Sequence, residues 1–115
     1  MNIIVNIITG LVALLHIGFL VLEMFLWDKP AGRKSFRTTA EFAAQSKTLA
    51  ANQGLYNGFL AAGLIWGLFA GDAVKIFFLS CVTIAGIFGA FTVSKRIFYI
   101  QALPALAGLA LLLLA

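Results

Sequence analysis

Apolar positions run along this chain in four long blocks separated by short polar breaks. The first extends from about residue 3 to 27 and is interrupted only by Asn6, Thr9, His16 and Glu23. The others extend from about 49 to 69, 73 to 93 and 97 to 115. A helix rises 1.5 Å per residue, so about 20 apolar residues cross the roughly 30 Å hydrocarbon core of a bilayer. Each block comes close to that length. None alternates with period two over the length of a barrel strand, and backbone groups in lipid must be satisfied internally, which leaves helices. The pattern therefore predicts a single all-α polytopic membrane domain over residues 1–115, folded as a transmembrane four-helix bundle.

The breaks carry local signals. Asp72 is placed to cap the third helix, and Ser94-Lys95-Arg96 is a short polar turn into the fourth. The first connection, residues 28–47, is longer. Asp28-Lys29-Pro30-Ala31-Gly32 reads as a helix stop, and Thr38-Thr39-Ala40-Glu41 has the spacing of a capping box for a new start. A helix from Thr38 to Phe69 would be about 48 Å long. Residues 38–48 therefore either extend helix 2 beyond the span or form a separate interfacial helix. The first block is expected to be a retained span: it lacks a basic leader and a small-residue cleavage site, and its apolar run is too long for a secretory signal.

Composition agrees with a bilayer as solvent. Of 115 residues, 63% are hydrophobic and 10% charged, whereas soluble domains carry about a quarter charged residues. A soluble enzyme, a nucleic-acid binder and a disordered tail are disfavoured on that ground. The single Cys81 leaves no intrachain disulfide or multi-thiolate metal site. Charge placement predicts orientation. Lys29, Arg33, Lys34, Arg37 and Lys47 lie in the first connection, Lys95 and Arg96 in the third, and Lys75 in the second. By the positive-inside rule the first and third connections are cytoplasmic and both termini face outward, N-out and C-out. The expected location is the bacterial cytoplasmic (inner) membrane. Asp28, Glu41, Asp72 and Lys75 are assigned to connections or caps, which leaves Glu23 as the one charge inside a span.

Candidate chemistry begins in the first block. Asn2, Thr9, His16 and Glu23 are spaced by seven and share one helix face, with Trp27 joining them and Val5, Leu15 and Val21 directed elsewhere. An ionisable group deep in a span costs roughly 2.5 to 3.5 kcal/mol on insertion scales, so it has a partner or a task. The structural alternative pairs Glu23 with Lys29 or Arg33 and leaves His16 to hydrogen-bond a neighbouring helix.

The second block offers Asn52, Gln53, Tyr56 and Asn57 at matching depth, over an arc too wide for one contact, so one or two of them pack or face headgroups. Gly54 with Gly58, and Gly63 with Gly67 and Gly71, are small-xxx-small pairs that read as packing faces and as a route to a homo-oligomer. In the fourth block Gln101 precedes Pro104, which removes one backbone donor and loosens the carbonyl of Ile100. Ser80, Cys81 and Thr83 read as bonding back to their own helix.

Taken together, these residues predict a polar-floored, apolar-walled cavity in the cytoplasmic half, suited to a hydrophobic small molecule with one polar group. His16 and Glu23 are the catalytic candidates, as acid-base groups. Trp27, Asn52, Gln53, Tyr56, Asn57 and Gln101 are the ligand-binding candidates. Whether the chain is an enzyme stays open at this point. No cofactor and no metal centre are expected, because His16 and Glu23 stand two turns apart and there is no second His. The lipid bilayer is the expected partner, and no nucleic-acid surface is present.

The run His16-x-x-Phe19-x-x-x-Glu23-x-x-x-Trp27, then Asn52-Gln53-Gly54-Leu55-Tyr56-Asn57-Gly58, then Gln101-x-x-Pro104-Ala105, resembles the bacterial family of small four-span membrane proteins catalogued as domain of unknown function thirteen hundred and four. The resemblance covers essentially the whole chain. It implies an integral membrane protein of four helices and no particular activity. Two alternatives to the ligand-binding reading remain. One is a small proton-coupled transporter using Glu23, against which the charge bias counts because it opposes an antiparallel dimer. The other is a non-catalytic subunit of a membrane complex.

Overall fold

The computed structural model describes residues 2–114; Met1 and Ala115, the two ends of the expected domain, lie outside the described residues. Among the described residues the chain is all-helical. Five α-helices and one π-helical turn follow in order: α1 (Ile3–Met24), α2 (Pro30–Phe36), α3 (Ala40–Ala70), α4 (Asp72–Thr92), the π turn (Phe98–Ala102) and α5 (Leu103–Leu114). Two of them, α1 and α4, are long and apolar enough to cross a membrane, and Phe98–Leu114 is a shorter apolar stretch. The chain divides into two compact units, one made of the segments up to Leu14 and from Leu60 onward, the other of Leu15–Phe59.

The first unit is built on a core of Val12, Ala13, Leu64, Leu79, Val82 and Ala105, with Ile8, Leu60, Phe78, Leu109 and Leu112 packed against it. Val5, Thr9 and Val12 are buried, and steps of four and three residues put them on one face of α1. Burial of Val5 corrects the expectation that it looks away from the polar stripe. Thr9 is tolerated there because its hydroxyl donates to Val5 O at 2.8 Å. Asn2 does not belong to the stripe either: its Oδ1 accepts from the amides of Ile4 (2.9 Å) and Val5 (3.3 Å), which makes it the cap of α1.

Helix α4 packs on the π turn and on α5. A Cβ on Gly86 would lie 2.6 Å from the backbone nitrogen of Ala102, so only a glycine lets the two backbones meet there. The π turn has a local cause. Pro104 has no amide to offer Ile100 O, four residues back, and its ring crowds that carbonyl. The chain widens just before it, and the Leu103 amide bonds Phe98 O, five residues back.

In the second unit α1 ends at Met24, ahead of Pro30, so the expected stop is not what ends it. Pro30 stands at the start of α2 after Lys29, where the missing amide is no loss and the fixed φ favours helix. The expected stop is instead a start, and the first connection contains a helix that the hydropathy pattern did not predict. Helix α2 ends at Arg37, whose left-handed backbone (φ 56°, ψ 46°) returns an amide bond to Arg33 O. The cap of α3 is one residue later than the expected box: Thr39 Oγ1 accepts from the Phe42 amide at 3.1 Å, while Thr38 Oγ1 is buried without a hydrogen-bond partner. From Ala40 the helix runs unbroken to Ala70, so residues 40–48 extend the second long helix. Ala43, Ala50 and Gly54 lie on its buried side, and a Cβ on Gly54 would come within 3.1 Å of Glu23 Cβ and 3.2 Å of Leu20 O. This lets α3 lie close against the last turns of α1.

Candidate functional site

Glu23 stands in the last turn of α1. Across from it, Asn57 of α3 donates its side-chain amide to Glu23 Oε1. The contact follows from the helix surfaces on either side: Gly54 precedes Asn57 by three residues and Gly58 follows it, and both face α1. Removing two side chains from that stretch lets the amide reach the carboxylate directly. His16, seven residues before Glu23 and so on the same face of α1, is fully buried. Its ring meets Phe19 edge to face, with centroids 5.2 Å apart.

Trp27, a ligand-binding candidate in the sequence, makes its own hydrogen bond. Its indole N–H donates to Ser46 Oγ at 3.0 Å, and Ser46 Oγ donates in turn to Phe42 O at 2.7 Å. The indole packs on Phe36, 4.9 Å between centroids. Beside it, Lys47 Nζ lies 3.2 Å from Asp28 Oδ2. The hydrogen bond from Lys47 holds the Asp28 carboxyl below the ordinary aspartate range. Together these contacts tie the end of α1, α2 and the start of α3 into a clasp, and Trp27 spends its donor on it.

Of the four polar residues in α3, Asn57 turns to Glu23, whereas Asn52, Gln53 and Tyr56 are exposed. Tyr56 stacks loosely on Phe59, 6.1 Å away. Gln101 lies in the π turn of the other unit and is half-buried. Among the described residues no group of three or more His, Cys, Asp or Glu gathers as a metal site needs. What the Glu23–Asn57 pair offers chemically is a carboxylate in apolar surroundings, steadied by one neutral donor. Such a group can exchange a proton or accept a hydrogen bond from a ligand.

A second polar cluster escaped the sequence reading. Lys75, expected in a connection, lies in the first turns of α4 with its side chain buried. Its ammonium donates to Asn6 Oδ1 at 2.8 Å and stands 3.4 Å from Asp72 Oδ1. A Cβ on Gly67 would lie 2.9 Å from Lys75 Cγ, so the aliphatic stem runs along a gap in α3. Glu23 is therefore not the one charge drawn inward. The available signal was the i,i+3 spacing of Asp72 and Lys75 together with an unexplained Asn6 in the first apolar block.

Residues 10–113 match the family model described as "Protein of unknown function (DUF1304)". The uncharacterized protein YpaA of Lactococcus lactis subsp. lactis (strain IL1403) is 32% identical over 120 residues, covering 99% of this chain and 96% of that protein. No solved structure matches. With nine-tenths of its length inside the family match, and a relative alignable from end to end, the chain belongs to the family Protein of unknown function (DUF1304).

Proposed function

We propose that this is a four-span integral protein of the bacterial cytoplasmic membrane, with both termini outside, and that it holds a hydrophobic small molecule in its cytoplasmic half by a polar group on Glu23. The spans are α1, residues 49–69 of α3, α4, and the π turn with α5. Only 28% of the most apolar window of α1, and of α4, is buried. Large apolar side chains such as Phe69, Phe91 and Leu114 stand almost fully exposed. A helix inside a soluble core would be covered, and water would disfavour so much open apolar surface, whereas lipid solvates it. Orientation follows from the basic connections, and Asp72 offsets Lys75 at the opposite end, which supports the charge bias.

The observation that carries the ligand reading is the hydrogen bond from Asn57 to Glu23 between two packed helices. An acidic group kept in such a place by a dedicated donor is a functional position by default. His16, buried on the same face, is its acid-base companion. Native mass spectrometry of protein purified from membranes in mild detergent tests this. A bound apolar small molecule should accompany the wild type and be lost from Glu23→Gln; a wild type free of any small molecule would sink the reading. A second reading, a subunit that packs through α3 on a further copy or another membrane protein, is favoured by the exposure of Asn52, Gln53 and Tyr56. Cysteine cross-linking from position 53 in membranes distinguishes it.

A further inference from the structure

Where α4 ends and the chain turns into the π segment, Ala90, Phe91, Lys95, Phe98 and Tyr99 line a half-open cavity of about 190 Å³. The turn that makes it is tight. The amides of Val93 and Ser94 both bond Gly89 O, at 2.9 and 3.1 Å, and the amide of Phe98 bonds Lys95 O at 3.0 Å. Lys95 is thereby held at the rim, exposed, and it has no ion-pair partner among the described residues. The walls are aromatic. Phe98 and Tyr99 meet edge to face with centroids 5.5 Å apart, and Phe91 is 87% exposed.

Size and charge narrow the occupant. Sites that enclose a drug-sized molecule measure about 300 to 1,000 Å³, so this slot takes only a segment of a longer molecule whose remainder lies outside. An ammonium at the mouth of an apolar slot favours an amphiphile with an anionic head. Aromatic rings beside a basic residue suit the boundary between headgroups and acyl chains. We propose that this cavity binds one anionic phospholipid, with its phosphate on Lys95 Nζ and the first part of an acyl chain against Phe91, Phe98 and Tyr99. The proposal rests on the membrane reading but not on any ligand of Glu23.

The test is lipid titration of the detergent-purified full chain, read by native mass spectrometry with phosphatidylglycerol, phosphatidylcholine and inorganic phosphate as probes. Wild type should prefer phosphatidylglycerol to phosphatidylcholine. Lys95→Gln should lower phosphatidylglycerol affinity about fivefold, the share of one lysine near a charged headgroup, and leave phosphatidylcholine unchanged. Ala90→Leu, which fills the slot, should weaken both lipids. Equal binding of the two lipids by wild type, a preference that survives Lys95→Gln, or competition by inorganic phosphate alone at lipid concentrations would overturn the proposal. Alkaline carbonate washing of membranes reads the membrane assignment separately. Release of the protein overturns that assignment, whereas a retained protein with no lipid preference overturns only the lipid site.

Discussion

Asn57 of α3 donates its side-chain amide to the Glu23 carboxylate at the end of α1. The sequence distance between them is 34 residues, and the meeting depends on glycines flanking Asn57 that let the two helices approach. One oxygen of the acid is thus occupied by a neutral donor, not by the lysine or arginine of the adjacent connection.

This pair should be measurable as a coupling. Asn57→Ala is expected to destabilise the protein by about 1 kcal/mol, the usual scale of an intramolecular hydrogen bond. Glu23→Gln keeps an acceptor and should cost less. A double-mutant cycle of Asn57→Ala with Glu23→Ala, each of which removes the bond, checks the point in detergent unfolding; additive effects would mean that the bond contributes nothing.

Lys75 gives a sharper contrast. Asn6→Ala leaves a buried ammonium with only Asp72, and should destabilise by about 1 to 3 kcal/mol. Lys75→Met fills the groove along Gly67 without a charge and should be close to neutral or stabilising. Thermal unfolding of both variants decides it. A Lys75→Met variant that is the weaker of the two would show that the charge itself stabilises the fold.

The glycines are not equivalent. Gly86→Val places atoms against the Ala102 backbone, and overpacking of that kind costs about 1 to 3 kcal/mol. Nothing lies within 4 Å of a Cβ on Gly10. Gly10→Ala should therefore raise stability by about 0.5 to 1 kcal/mol through helix propensity. Parallel melting curves would expose an error in either direction.

The Asp28–Lys47 bridge predicts a pH response of the clasp. The carboxyl is lowered by its lysine partner, so its contribution is fully present above the ordinary aspartate value of about 3.9 and is lost as pH falls through the lower folded value. Lys47→Ala, which removes the largest lowering contribution, should move the Asp28 titration up. Carbon-detected NMR of the aspartate carboxyls reads this directly, and an unchanged titration would show that the bridge is not formed in solution.

How much of this was legible beforehand depends on what kind of information each residue carries. Long apolar runs, the threonines before α3 and the proline after the π turn act through the backbone nearby, so the long helices and most breaks could be placed from the sequence, whereas α2, opened by Pro30 between two apolar blocks, could not. Even there, a single residue decided between Thr38 and Thr39 as cap, because both satisfy the local pattern and only the helix that forms selects one. Pro30 was ambiguous for the same reason, since a proline suited to stop a helix is equally suited to begin one, and here it begins α2.

Side-chain partnership was a different matter. Asn52, Gln53, Tyr56 and Asn57 are near neighbours on one helix, and periodicity alone leaves open which of them turns inward; the approach of α1 over Gly54 and Gly58 chose Asn57. Nothing in the local pattern tells that the Trp27 N–H goes to Ser46, 19 residues away. Lys75 looked like a loop charge until Asn6 and the gap at Gly67 drew it in. The sequence alone determined the helical class, the breaks and the bias of positive charge, because these depend on local propensity and on solvent preference residue by residue. The tertiary structure decided which polar groups are satisfied and by whom, because a hydrogen bond between distant residues exists only once two particular helix faces have been brought within reach.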